Sequence, residues 1–125
     1  MKILVFGNPL VGKDSLVLRI LPELRKKFPE IEFEEVEPTE GLEKHGKNLV
    51  ILDAVEGIKK VMIIDSIEQL QTNRVCSMHD FDLAYNLKIL KKLGLVDSVK
   101  VIGVQSGMGE REASEEVGWW LKNWY

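Results

Sequence analysis

The 125-residue chain has a single cysteine, Cys76. One thiol excludes an intrachain disulfide and any zinc or iron–sulfur site built from several thiolates. Long apolar runs are missing as well. No stretch approaches the roughly 20 residues that cross a bilayer, and the run after Met1-Lys2 is too short for a secretory signal. Positive charge is not in excess: 17 Lys and Arg stand against 20 Asp and Glu, a net charge of −3, so no basic surface for nucleic acid is expected. The cluster Arg25-Lys26-Lys27 reads as the solvated end of a helix. Repeats, linkers and low-complexity segments are absent. These absences leave a single domain over 1–125, cytoplasmic, with neither a membrane nor a nucleic acid as partner, and long enough to bury a core.

What is present is an alternation of strand-like and helix-like patterns. Lys2–Gly7 is a continuous apolar run ending in Gly, as in a central parallel strand, and Ser15–Phe28 has helical character that Pro22 should kink or cut short. Ile31–Val36 alternates partially and suits an edge strand. Pro38–Gly41 breaks the chain, and Lys47–Val55 reads as a second helix. Val61-Met62-Ile63-Ile64-Asp65 is a second buried strand ending in a carboxylate. Ser77 and Asp80 form a capping box that opens a helix from His79 to Leu93, closed by Gly94. Lys100–Gln105 is a last central strand and Glu112–Trp124 a closing helix. The order predicts an α/β protein, a three-layer α/β/α sandwich around a mostly parallel, twisted sheet. In such sheets ligands sit at the carboxyl ends of the strands, which directs attention to Gly7–Asp14, Asp65 and Ser77–Asp80.

Gly7-Asn8-Pro9-Leu10-Val11-Gly12-Lys13-Asp14 is one residue short of the phosphate-binding pattern G-x-x-x-x-G-K-[ST]. With Asp65 as a magnesium ligand it would make a small P-loop-like nucleotide-binding protein. Asp14 weighs against that, because a carboxylate replaces the required hydroxyl and repels phosphate. Pro9 also removes an N–H from a loop whose purpose is to aim N–H groups at an anion. Asp14, Asp65 and His79 instead compose a carboxylate, carboxylate and imidazole set. Such ligands suit a divalent first-row metal with open coordination positions, and imidazole favours nickel, zinc or iron over magnesium or calcium.

The ordered set of Gly7–Asp14, an apolar strand ending in Asp65, and Ser77-Met78-His79-Asp80-Phe81-Asp82-Leu83 resembles the hydrogenase maturation proteases. These endopeptidases trim the C-terminus of the large subunit of nickel–iron hydrogenases. The family pattern is roughly G-N-x-L-x-x-D-[DE], a strand ending in D, and S-x-H-x-x-x-L. By position the resemblance implies that Asp14, Asp65 and His79 bind metal and carry the catalysis. It implies further that the nickel is supplied by the substrate, the hydrogenase large-subunit precursor, whose C-terminal propeptide is removed. Zinc or cadmium could occupy the same ligands. The chain departs from the pattern at Lys13, where the first of two acidic residues is usual, at Ser15, where Gly is common, and at Ser106-Gly107-Met108-Gly109, which lacks an acidic turn. A family member that binds a partner without cleaving it remains a third reading.

Structural roles compete for the same residues. Asp14 could cap the helix that begins at Ser15. Asp53, in Ile51-Leu52-Asp53-Ala54-Val55, competes with Asp65 as a strand-end carboxylate, but a helix over Lys47–Val55 favours Asp65. His79 in a first helical turn would be held neutral by the helix dipole and so able to ligate, whereas His45 in a polar loop is expected to be solvated. Cys76 reads as a small packed hydrophobe. Trp119 and Trp120 are adjacent and cannot both face the core, so one is expected at the surface, open to a partner.

Overall fold

The computed structural model describes residues 1–6, 15–36, 41–56, 58–65, 76–77 and 81–124. The strands are β1 (Lys2–Val5), β2 (Glu32–Glu35), β3 (Asn48–Glu56), β4 (Met62–Ile64), β5 (Cys76–Ser77) and β6 (Ser98–Gln105). The described helices are α1 (Ser15–Lys27), α2 (Phe81–Lys92) and α3 (Glu110–Trp124), with a 3-10 turn at Leu42–His45. Five strands form one sheet in the order β2-β1-β3-β6-β4, and the two-residue β5 lies beside the end of β3. β2, β1, β3 and β6 are mutually parallel, while β4 runs antiparallel to β6 and β5 antiparallel to β3. The expected mostly parallel α/β sheet with flanking helices is what the chain forms.

Alternation along the strands separates two cores. Ile3, Val5, Leu52, Ala54, Ile102 and Val104 face a cluster supplied by α1 and α3. On α1 the contributors are Leu16, Val17, Ile20, Leu21 and Leu24, the apolar stripe of an amphipathic helix; α3 adds Ala113, Val117 and Leu121. The opposite face carries Leu4, Phe6, Leu49, Ile51, Val55 and Val101, packed with Leu42, Val96 and Leu87 of α2. Each large aliphatic side chain removed from water in this way contributes about 1.5–3 kcal/mol. Gly94 stops α2 by adopting φ 74°, a left-handed conformation that costs a glycine little.

Several expectations are corrected. Lys47–Val55 is not a helix: Asn48–Glu56 is the longest strand, and it lies between β1 and β6 in the middle of the sheet. The apolar run Leu49–Leu52 fits either state by periodicity, and burial between two parallel neighbours selects the strand. Val61–Asp65, expected as a buried strand of a mostly parallel sheet, gives the short β4, which is antiparallel to β6 and stands at the sheet edge among the described residues. α1 continues through Pro22, which lies on its exposed face, where a missing backbone bond costs least. α3 starts two residues earlier than expected. His45 is not solvated: its side chain is 18% exposed, with Nδ1 2.9 Å from Lys2 Nζ and 3.1 Å from Glu34 Oε2. The break at Pro38–Gly41 falls mostly, and the capping box at Ser77–Asp80 partly, outside the described residues.

Two contacts lend themselves to measurement. A Cβ at Gly103 would stand 2.9 Å from Val55 Cγ2, so this central position admits no side chain without displacement. Gly103→Ala is expected to destabilise the fold by about 1–3 kcal/mol through overpacking, read as a lower thermal midpoint; an unchanged midpoint would contradict the packing described. Between α1 and α3, Ser114 Oγ donates to Glu23 Oε2 at 2.9 Å, and Lys27 Nζ lies 3.3 Å from Glu23 Oε1. The Ser114 hydroxyl first, and then Lys27, hold the Glu23 carboxyl below the usual range. A lowered folded-state pKa stabilises above the unfolded value and is lost as pH falls through the folded one. Ser114→Ala should therefore raise the Glu23 titration midpoint by NMR, while an unmoved midpoint would show that the hydroxyl is not its cause.

Candidate functional site

Strand order fixes where a site can form. From β1 the chain crosses to β2 on one side, and β3 lies on the other side of β1. The crevice between β1 and β3 is therefore the topological switch point, where open α/β sheets bind ligands outside the carboxyl ends of the strands. β1 pairs Val5 with Leu52, and Phe6 N–H donates to the Leu52 carbonyl at 3.0 Å. The described part of this segment ends here, at Phe6. β5 borders β3 next, with Ser77 opposite Val55 and Cys76 opposite Glu56. The two residues of β3 between these partners are Asp53 and Ala54.

Asp53 is fully buried, in register with Gly103 of β6 and flanked along its strand by Ile51 and Val55, both in the core cluster on the α2 face. A carboxylate removed from water is costly unless partners compensate, so a charged strand residue at the switch point is an unusual use of a core position. The β6 end of the same edge is a tight turn. Gly107 N–H donates to Gln105 Oε1 at 2.9 Å, Met108 N–H to the Gln105 carbonyl at 3.1 Å, and Ser106 N–H to the Val55 carbonyl at 3.3 Å. Ser106 and Ser114 are the other buried polar side chains among the described residues.

Of the three residues singled out from the sequence, Asp14 and His79 lie outside the described residues. Their neighbours in the chain are described: Ser15 opens α1, and Ser77, two residues before His79, pairs with Val55, two residues after Asp53. The third, Asp65, is exposed and is not brought to this edge. β4 descends from Met62 opposite Gly103 to Ile64 opposite Val101, so Asp65 follows one step further toward the amino end of β6. Two strand spacings across and three residues along separate Asp65 from Asp53 by about 14 Å. A shared metal needs ligand atoms about 2 Å from one ion, which that separation forbids. Gly7–Lys13, which the nucleotide alternative joins to Asp65, lie outside the described residues.

Asp53 was legible as a competitor, and its strand was not. The signal that could have selected it is the connection from Glu56 to Met62, far shorter than the dozen or more residues of a parallel crossover. β4 must then run back, carrying Asp65 away from the edge. Among the described residues no group of three or more His, Cys, Asp or Glu is positioned to hold a metal ion. No described helix is long and apolar enough to cross a membrane.

By sequence, no protein-family model and no curated relative matches this chain. By structure, the chain is similar to the crystal structure of a hydrogenase 3 maturation protease. The TM-score is 0.63 at 19% identity, covering 100% of this chain and 91% of that one. At that identity the likeness establishes a shared fold, the one that the ordered motifs at Gly7, the apolar strands and Ser77 had led us to expect.

Proposed function

We propose that the chain is an endopeptidase of the hydrogenase maturation type, acting on the large-subunit precursor of a nickel–iron hydrogenase and removing its C-terminal propeptide. The observation that carries this reading is the fully buried Asp53 at the β1/β3 switch point, in a fold shared with a protein of that activity. The nickel is part of the substrate. Asp14, Asp53 and His79 are its protein ligands here, with Asp53 taking the role that the sequence had assigned to Asp65. Two facts support the exchange. β5 runs from Cys76 to Ser77 along β3 in the direction of Asp53, and two residues of chain span at most about 7 Å. His79 itself lies outside the described residues, and its support for the exchange is that it follows Ser77 by two residues in the chain.

Two carboxylates and an imidazole suit nickel and leave coordination positions for the precursor's own donors. Binding by only three ligands makes the site dependent on a metal that arrives already held, which ties cleavage to a loaded precursor. Asp53 adds rigidity: its strand pairs with β6 at Asp53 itself and with β1 up to Leu52, so its backbone is held before the substrate arrives.

Incubation with nickel-loaded precursor tests the assignment. Asp53→Asn, nearly isosteric, should lower the cleavage rate at least about 100-fold, since even outer-shell partners of a metal are worth about 10–100-fold. Asp14→Asn and His79→Ala should fall comparably, and Asp65→Asn should stay within about twofold of the parent. Full cleavage by Asp53→Asn together with loss in Asp65→Asn would reverse the assignment. Capture of the loaded precursor without cleavage by the parent protein would make the chain a binding module rather than a protease.

A further inference from the structure

On α3, the Trp119 and Trp120 rings meet edge to face, their centroids 5.1 Å apart at 90°. Trp120 packs against the α1/α3 core, whereas Trp119 is 57% exposed. With Lys60, Val61 and Glu116 the pair lines a cavity of about 340 Å³. Glu116 Oε1 accepts the Val61 N–H at 3.0 Å and so ties the helix to the start of β4. This places the cavity in the sheet: continuing the β4–β6 register from Met62 and Gly103 sets Val61 beside Val104 and Lys60 beside Gln105. The cavity thus opens at the carboxyl end of β6, the same edge as Asp53 and about 10 Å from it across the strands, on the α1/α3 face of the sheet where Asp53 lies on the α2 face.

Its charge differs from that of the molecule. The chain carries −3 overall, yet Lys60 lines the cavity, Lys59 beside it in the chain is exposed, and Lys122 follows Trp119 by one helical turn. None of these three ammonium groups has an ion pair among the described residues. Glu116, the acid in the lining, already spends one oxygen on the Val61 amide. An exposed indole beside uncompensated lysines matches a ligand that brings an apolar side chain together with carboxylates, because desolvated aromatic anchors give affinity and complementary rim charges give selectivity.

We propose that the Trp119/Trp120 cavity docks an acidic segment of the protein substrate. One apolar side chain of that segment seats against Trp119 and Val61, and its flanking carboxylates face Lys59 and Lys60. The proposal rests on the reading that the substrate is a protein presented at the carboxyl edge. An extended segment rises about 3.3 Å per residue, so a few residues link this anchor to the neighbourhood of Asp53.

The full-length chain can be titrated with the peptide acetyl-Glu-Asp-Phe-Leu-Asp-Glu-amide while its tryptophan emission is followed. A matched peptide with lysines for the acids serves as control. The acidic peptide should give a saturable change, and the lysine peptide should bind at least about tenfold more weakly. Trp119→Ala should abolish the response, and the double variant Lys59→Glu, Lys60→Glu should weaken it at least about tenfold, both with unchanged circular dichroism. Equal binding of the two peptides, no binding, or an unaffected Trp119→Ala variant would overturn the proposal. So would a parent chain that dimerises in solution while Trp119→Ala stays monomeric, since the surface would then belong to a second copy. The two readings fail separately: peptide selectivity without precursor cleavage removes the protease, and cleavage without peptide selectivity removes the docking site.

Discussion

The pairing of β3 on both sides is the constraint on which the rest of the structure depends. Asn48–Glu56 bonds to β6 over eight residues and to β1 until β1 ends, and then takes β5 as its neighbour. This one strand therefore sets the height at which β1 exits, β5 enters and β6 turns. It also supplies the residues that face both cores, Leu52 and Ala54 toward α1 and α3, Ile51 and Val55 toward α2. A side chain on such a strand cannot move without disturbing two neighbours. That rigidity makes Asp53 a different kind of residue from a carboxylate on a loop: its burial costs stability, and its position is determined by the sheet.

The close approach of Gly103 belongs to the same constraint. With no Cβ opposite Asp53, β6 leaves the space that Val55 Cγ2 enters at the level of the buried carboxylate. Sequence to packing to site is thus a short chain of causes here. A glycine in β6 permits the Val55 packing, the Val55 level is where Ser77 pairs, and Ser77 leads the chain toward His79.

Much of this was legible beforehand, for identifiable reasons. β1 is a pure apolar run with a helix after it, α1 carries an apolar stripe at helical spacing, and Gly94 marks the end of α2; each signal is local. The run Leu49–Val55 was misread because a strand buried on both faces does not alternate, and its polar interruption at Asp53 mimics the polar positions of a helix. The expected helix over Lys47–Val55 is also what favoured Asp65 over Asp53 as the strand-end carboxylate, and the exchange proposed above starts from the strand found there. The β-branched residues Val50, Ile51 and Val55, with the short connection to Met62, held the contrary information. The exposure of one of two adjacent tryptophans followed from helix geometry alone; which one, and what surrounds it, required the fold.

The central claim is that Asp53, rather than Asp65, completes a metal-recognising set with Asp14 and His79. Anomalous diffraction from crystals soaked in cadmium or nickel tests it most directly. The account predicts one ion about 2.0–2.3 Å from carboxylate oxygens of Asp53 and Asp14 and from an imidazole nitrogen of His79. An ion held by Asp65 instead, or a phosphate cradled by the backbone of Gly7–Lys13, would contradict it.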